Sequence, residues 1–251
     1  MSPPFGPLGP LGPRLVKRAF DLSVACAALL LLSPLLLGVA LAVRLDSAGP
    51  VFYRQDRVGR GGRVFRIHKF RTMVHAPQTD GLPLTVGDDA RITRVGRFLR
   101  HSKWDELAQL IDVWRGDMSI VGPRPEVPRY VDRYPEALRA AVLSVKPGIT
   151  DDCSLDFRDE SDWLARSADP ERTYVDEILP IKLALQARYV EHAGLLTDLR
   201  IVGRTAAILC GRIVGRRSTP PAVPTPVAPP VLPISHRSPT PTAADDLERP
   251  R

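Results

Sequence analysis

A mostly helical α/β domain associated with a membrane is the fold class that this sequence predicts, and three observations predict it. The stretch Leu22 to Val43, LSVACAALLLLSPLLLGVALAV, runs for 22 residues without a charge. Gly49 to Met73 sets short apolar runs among basic residues on either side of a Gly59-to-Gly62 turn. Much of the chain beyond Met73, as far as Val214, spaces its apolar residues as a helix does. A chain of 251 residues has room for one substantial domain with appendages. Its 35 Lys and Arg exceed its 28 Asp and Glu, and a formal charge of +7 suits an anionic partner, whether nucleic acid, phosphorylated metabolite or acidic membrane surface. Cys26, Cys153 and Cys210 lie far apart, and neither they nor the histidines show metal-ligand spacing. A reducing, cytosol-facing location fits that usage.

Taken in order, residues 1–13 are rich in Pro and Gly and read as a disordered arm. The apolar run comes after Arg14, Lys17 and Arg18. At about 1.5 Å per residue it is long enough for about 30 Å of hydrocarbon. It is too long for a signal-peptide core and ends in Val43-Arg44-Leu45 rather than at a small-x-small cleavage site. Two features oppose a straight span. Ser33-Pro34 sits mid-run, where proline removes a backbone donor and breaks the helix. Basic residues flank both ends, which favours keeping both on the cytoplasmic side. Residues 14–47 are therefore expected to form a re-entrant helix-break-helix anchor with its break at Ser33 and Pro34.

A catalytic domain is expected over 48–215. Val51 and Tyr53, then Val64, Phe65, Ile67 and Phe70, predict a small β-hairpin. Its glycine turn is not a dinucleotide loop, because Val64 spoils the G-x-G-x-x-G pattern. Lys69 and Arg71 flank Phe70 as candidate phosphate ligands or as a solvated strand face. Residues 75–90 read as a loop, and the basic segment from Arg91 delivers Arg100 just before Ser102. Tyr130 to Val145 looks helical, KPGIT turns the chain, and the acidic run Asp151 to Asp162 lacks EF-hand spacing and reads as an exposed loop. Tyr174 to Val214 carries amphipathic helical patterning, with apolar and basic faces that suit a membrane surface or an ordinary core. From Ser218, ten prolines in 34 residues mark a disordered tail, set at 216–251.

The stretch Ser102 to Pro125, SKWDELAQLIDVWRGDMSIVGPRP, holds the candidate chemistry. Ser102 is placed to cap a helix with Trp104, Leu107, Ile111 and Trp114 on one apolar face. Asp105 and Glu106 then fall in its first turn, where the helix dipole favours ionised carboxylates. Ser-x-x-Asp is also close to a capping box, so the residues alone leave a purely structural role open.

Read together, KRAFD before the apolar run, GPVFYRQDRVG, VFRIHKFRTM, ITRVGRFLR, SKWDELAQL, GDMSIVGPRP, KPGIT, FRDE and YVDEILPIKLALQARYVE resemble the bacterial sugar transferases. These are monotopic polyprenyl-phosphate phosphoglycosyl transferases, matched here in their small single-domain form from Lys17 to about Arg212. The resemblance implies transfer of a sugar 1-phosphate from a nucleoside diphosphate sugar, with UDP the expected nucleotide, to polyprenyl (undecaprenyl) phosphate. The products are a polyprenyl-diphosphate sugar and a nucleoside monophosphate, in the first membrane step of surface glycan assembly. It implies Asp105 as nucleophile and metal ligand in a covalent aspartyl-phosphosugar mechanism, Glu106 as its partner, and Mg²⁺ as cofactor. It assigns Arg100, Arg124, Lys69 and Arg71 to substrate phosphates, the location to the cytoplasmic face of the bacterial inner membrane, and no nucleic-acid partner. The chain departs from the family pattern at Ala108, where proline is usual, and at Asp151-Asp152-Cys153, where small and apolar residues are usual. The competing expectation is a non-catalytic, membrane-tethered basic protein that binds nucleic acid or anionic lipid. It leaves the carboxylates of the most basic region unexplained. No Asp-x-Asp and no P-loop motif occurs.

Overall fold

The computed structural model describes residues 11–74 and 89–213, so the expectations for residues 1–10, for most of the 75–90 loop and for the proline-rich tail lie outside the described residues. Helix α1 (Leu11–Leu31) takes in the last three residues of the expected arm. A proline in a first turn has no intrahelical N–H to lose, so Pro13 is compatible with that start. Helix α2 (Ser33–Asp46) begins after a one-residue break at Leu32, with Pro34 in its first turn. The break falls one residue before Ser33-Pro34, which open α2, the two helices bend by 64°, and the Ser33 hydroxyl donates to Leu30 O at 2.8 Å. Among the described residues no single helix is long and apolar enough to cross a membrane; only the bent pair together reaches that length.

Strands β1 (Phe52–Val58) and β2 (Val64–Phe70) form the expected antiparallel hairpin, registered from Phe52 opposite Phe70 to Val58 opposite Val64. Its turn is the 3₁₀ segment Arg60–Gly62. Helix α3 (Arg94–Ser102), the 3₁₀ turn Trp104–Gln109 and helix α4 (Leu110–Arg115) come next. Then come β3 (Ser119–Val121), α5 (Pro128–Val131), α6 (Glu136–Val142) and β4 (Gly148–Thr150), with β4 parallel to β3. Pro135 splits the single helix expected over 130–145. The supposed acidic loop is instead α7 (Asp152–Asp156) and α8 (Glu160–Leu164). Helices of five residues are too short to show a period, and Asp151 reveals itself as an N-cap, accepting from Ser154 N at 2.6 Å. After α9 (Pro170–Thr173) and a π-helical turn at Tyr174–Ile178, α10 (Leu179–Glu191) and α11 (Leu195–Ile213) end the described chain. Among the described residues the architecture is thus mostly helical with two small two-stranded sheets.

The core has three parts. One joins α5, α6 and α10 around Tyr130, Tyr174 and Leu183. A second joins α1, β2, α4 and α11 around Ala25, Ile67, Val113 and Ile201. The third packs Val39 and Val43 of α2 on Phe70, Leu99 and Ala108. Ala108 therefore presents a small side chain to α2. The outer face of the bent pair stays bare: Leu30, Leu31, Leu37, Leu41 and Leu45 are all at least 60% exposed.

Polar groups root the first of these helices in the core. Asp21, 2% exposed, accepts from Ser119 Oγ at 3.0 Å and from Ile120 N at 3.1 Å. Lys17 pairs with Asp21 at 3.1 Å and with Asp198 of α11 at 2.8 Å. A buried carboxylate persists only with such partners. The KRAFD motif is thus the polar root of an otherwise apolar helix.

Candidate active site

Asp105 and Glu106 do not begin an α-helix capped by Ser102. Ser102 is the last residue of α3, and its hydroxyl donates back to Phe98 O at 2.9 Å. Lys103 comes next in the left-handed region, at φ 61°, and the chain restarts as the 3₁₀ turn. The change of pitch from 3.0 to 3.6 residues per turn shifts the phase of the apolar face. Trp114 is consequently 57% exposed, while Ala108, Leu110 and Val113 face inward.

Three elements converge on this turn. The backbone N–H of His68 and its ring Nδ1 reach the two Asp112 carboxylate oxygens at 2.8 and 2.6 Å, which pins β2 to α4. The next residue, Lys69, then reaches Glu106 Oε1 at 3.0 Å. Arg124 arrives on the GPRP loop, whose position depends on glycine: a Cβ on Gly148 would stand 2.1 Å from Gly122 N, so the two backbones touch. Its guanidinium grips Glu106 in bidentate fashion, Nη1 to Oε2 at 3.0 Å and Nη2 to Oε1 at 2.5 Å.

The adjacent carboxylates are driven apart electrostatically. Asp105 is 8% exposed, and its Oδ1 is buried without a hydrogen-bond partner. Burial first, and then the neighbouring Glu106 charge, push its carboxyl above the usual range. Burial also works to raise Glu106, but Arg124 and Lys69 outweigh it and hold that carboxyl well below the usual range. Burial, reinforced by Arg124 and opposed by Glu106, brings the Lys69 ammonium below its ordinary value. Glu106 is therefore a fixed counter-charge for two cations. Asp105 is the carboxylate with an uncommitted oxygen. Two neighbouring acids set apart in this way mark a division of labour.

Beside the pair lies a cavity of about 350 Å³, in the size range of small-molecule sites. Arg100, Lys103, Glu106 and Arg124 line it, together with Arg57. Of the residues singled out by sequence, Asp105, Glu106, Lys69, Arg100 and Arg124 come together. Arg71 does not. It is 5% exposed and donates to Pro50 O, Ser47 O and Ser47 Oγ, where it fastens the end of α2 to β2. Arg71→Met should cost about 2 kcal/mol of folding stability by denaturant titration, since it strands several buried carbonyls, while leaving the donor KM of the folded fraction unchanged. A selective rise in KM would return Arg71 to the phosphate site. Lys103 and Arg57 are cavity residues that sequence reasoning missed; both sit inside the recognised motifs, and their charge alone does not separate them from solvated neighbours.

Mg²⁺ binds through one or two carboxylates and fills its octahedron with substrate phosphates and water. The partnerless Asp105 Oδ1 fits such a ligand, whereas both Glu106 oxygens are engaged by cations. Among the described residues no cluster of three or more His, Cys, Asp or Glu is poised to hold a metal.

Comparison with known proteins gives the same direction. The family model described as bacterial sugar transferase matches residues 12–212. An Aeromonas hydrophila UDP-N-acetylgalactosamine-undecaprenyl-phosphate N-acetylgalactosaminephosphotransferase is 36% identical over 192 residues, 76% of this chain and 42% of that protein. UDP-glucose:undecaprenyl-phosphate glucose-1-phosphate transferases from Escherichia coli K12 and Caulobacter vibrioides are 42% and 38% identical over 75% and 82% of this chain. The chain spans 39% of the former's length and 74% of the latter's. With the family model covering nearly all the described residues, the chain belongs to the bacterial sugar transferase family.

Proposed function

We propose that this chain transfers a sugar 1-phosphate from a nucleoside diphosphate sugar, with a UDP-sugar the expected donor, to undecaprenyl phosphate through a covalent intermediate on Asp105. The observation that carries the reading is a buried carboxylate with a partnerless oxygen, set beside cations that its neighbour Glu106 holds in place. A non-catalytic anion binder has no use for such a group. The names of the related proteins support the reaction class and the acceptor.

In the first step an Asp105 oxygen attacks the phosphorus that carries the sugar. The P–O bond to the nucleoside monophosphate breaks and its electron pair leaves with that group. In the second, a phosphate oxygen of the polyprenyl phosphate attacks the same phosphorus, and the Asp105 carboxylate departs unchanged. Asp105 would be the residue to hold Mg²⁺, which when bound would supply neutralisation of phosphate charge. Arg124 and Arg100 present positive charge to the non-bridging oxygens, and Glu106 keeps Arg124 and Lys69 in register. Glu106 stays ionised and carries no proton. A panel of nucleotide sugars, supplied with Mg²⁺ and polyprenyl phosphate, tests the proposal: one or more donors should release nucleoside monophosphate. Release from none overturns it.

The bare leucines of α1 and α2 and the 64° bend support a re-entrant anchor, and the place we propose for it is the cytoplasmic face of the inner membrane. With Cys26 and Cys210 replaced by serine, cysteines introduced at Leu15 and Leu45, 66% and 78% exposed, should react with impermeant reagent from the cytoplasmic side only. Labelling from opposite sides would show a true span.

A further inference from the structure

Beyond Arg124 the cavity has a second wall that neither transfer step uses. Tyr130 and Ser154 line it, and the hydroxyl of each is buried without a hydrogen-bond partner. Tyr130 itself is only 2% exposed. Glu160 and Lys182 stand on the same wall, paired at 2.8 Å. Lys182 Nζ also donates to the Tyr174 hydroxyl at 3.3 Å and lies 5.0 Å from the centre of that ring. Buried hydroxyls normally have partners, so two orphans on residues that line one cavity point to a ligand that completes them once it settles against this wall.

The chemistry of the wall narrows that ligand. Its ammonium is neutralised by Glu160, which leaves little charge to attract a phosphate. The Tyr130 ring is packed against Tyr174 at 4.9 Å and Tyr174 lies beneath Lys182, so neither offers an open face on which a nucleobase stacks. An isoprenoid tail has nothing for a hydroxyl to bond. A sugar ring does, since each of its hydroxyls both donates and accepts. The residues beneath the wall are the ones in which this chain leaves its family's pattern: Asp151 caps the turn that presents Ser154, and Cys153 Sγ lies 3.8 Å from Lys182 O.

We infer that Tyr130 and Ser154, backed by the Glu160–Lys182 pair, receive the glycosyl group of the donor and discriminate among its ring substituents. The inference rests on the transfer reaction proposed above. Tyr130→Phe and Ser154→Ala, assayed on UDP-glucose, UDP-galactose, UDP-N-acetylglucosamine and UDP-N-acetylgalactosamine and on any further donor the wild-type panel reveals, test it. Each variant should lose about tenfold in kcat/KM for the preferred donor and less for its epimer, the loss expected when one hydrogen bond to substrate is removed. Inhibition by UDP alone should be unchanged. Weakened UDP inhibition with equal losses on all donors would place the nucleotide here instead. A change confined to the polyprenyl phosphate KM would place the acceptor here, and indifferent variants would leave the wall structural; each of these outcomes overturns the inference. A wild-type chain inert on the whole panel overturns the reaction itself, and this wall with it.

Discussion

Asp105→Asn is expected to lower turnover by about 10⁴ or more, the scale on which covalent nucleophiles fail when removed, while making the folded chain more resistant to heat. The gain in heat resistance comes from the sign of the Asp105 perturbation. Burial and Glu106 raise this carboxyl above its unfolded value, so its ionised form costs the fold stability at neutral pH, and that cost is relieved as pH falls through the raised value. An amide carries no charge to desolvate. The variant should melt roughly 2–4 °C higher, the shift that about 1 kcal/mol gives in a chain of this size. Wild-type protein given a donor labelled in its sugar, without acceptor, should retain label and release one equivalent of nucleoside monophosphate; the variant should do neither. Undiminished turnover would remove Asp105 from the mechanism. Turnover of the wild type should also fade on acidification at a pH above the ordinary carboxylate range, because the nucleophile is then protonated while Glu106 remains ionised.

The second large effect concerns the clamp. Arg124→Met should cost roughly 3 kcal/mol of stability, the low end for breaking a buried ion pair, because Arg124 keeps 28% of its side chain in solvent. Glu106→Gln should cost a similar amount by leaving Arg124 and Lys69 unneutralised. The double variant should recover part of the sum, since neither charge is then stranded, and a double-mutant cycle in urea reads the coupling directly. All three variants should be inactive. Additive losses would mean that the two groups act independently, and an active double variant would reduce the clamp to a structural device.

Which parts of this site were legible in the sequence depends on how local each signal is. The hairpin, the break at Ser33-Pro34 and the proximity of Asp105, Glu106, Lys69, Arg100 and Arg124 lie in contiguous motifs whose order identified the family. Arg71 stands apart from the other cations in a way no sequence signal gives, because a basic residue on a strand reads the same whether it meets a phosphate or three backbone carbonyls; only the position of α2 decides. The 3₁₀ turn at Trp104 was hidden since its onset depends on Lys103 entering the left-handed region, which lysine seldom signals. Tyr130, Ser154 and Lys182 are spread over more than fifty residues and meet through packing of α5, α7 and α10, for which no spacing rule exists. Asp151 belonged to a segment dismissed as exposed, yet it is fully buried, because a capping carboxylate and a solvated one look alike until the helix behind it is seen.

The polar root that joins Lys17, Asp21, Ser119 and Asp198 bears on how such a chain can be taken apart. Segments that hold proteins at membranes are often treated as interchangeable modules. In this chain the first helix contributes a buried carboxylate to the edge of β3 and a cation to α11. Grafting an apolar segment of equal length without those two residues should leave the buried Asp198 without its cation and the Ile120 N–H without its acceptor, and yield a misfolded catalytic unit. A graft that retains Lys17 and Asp21 should tolerate wide variation in the leucines beyond them.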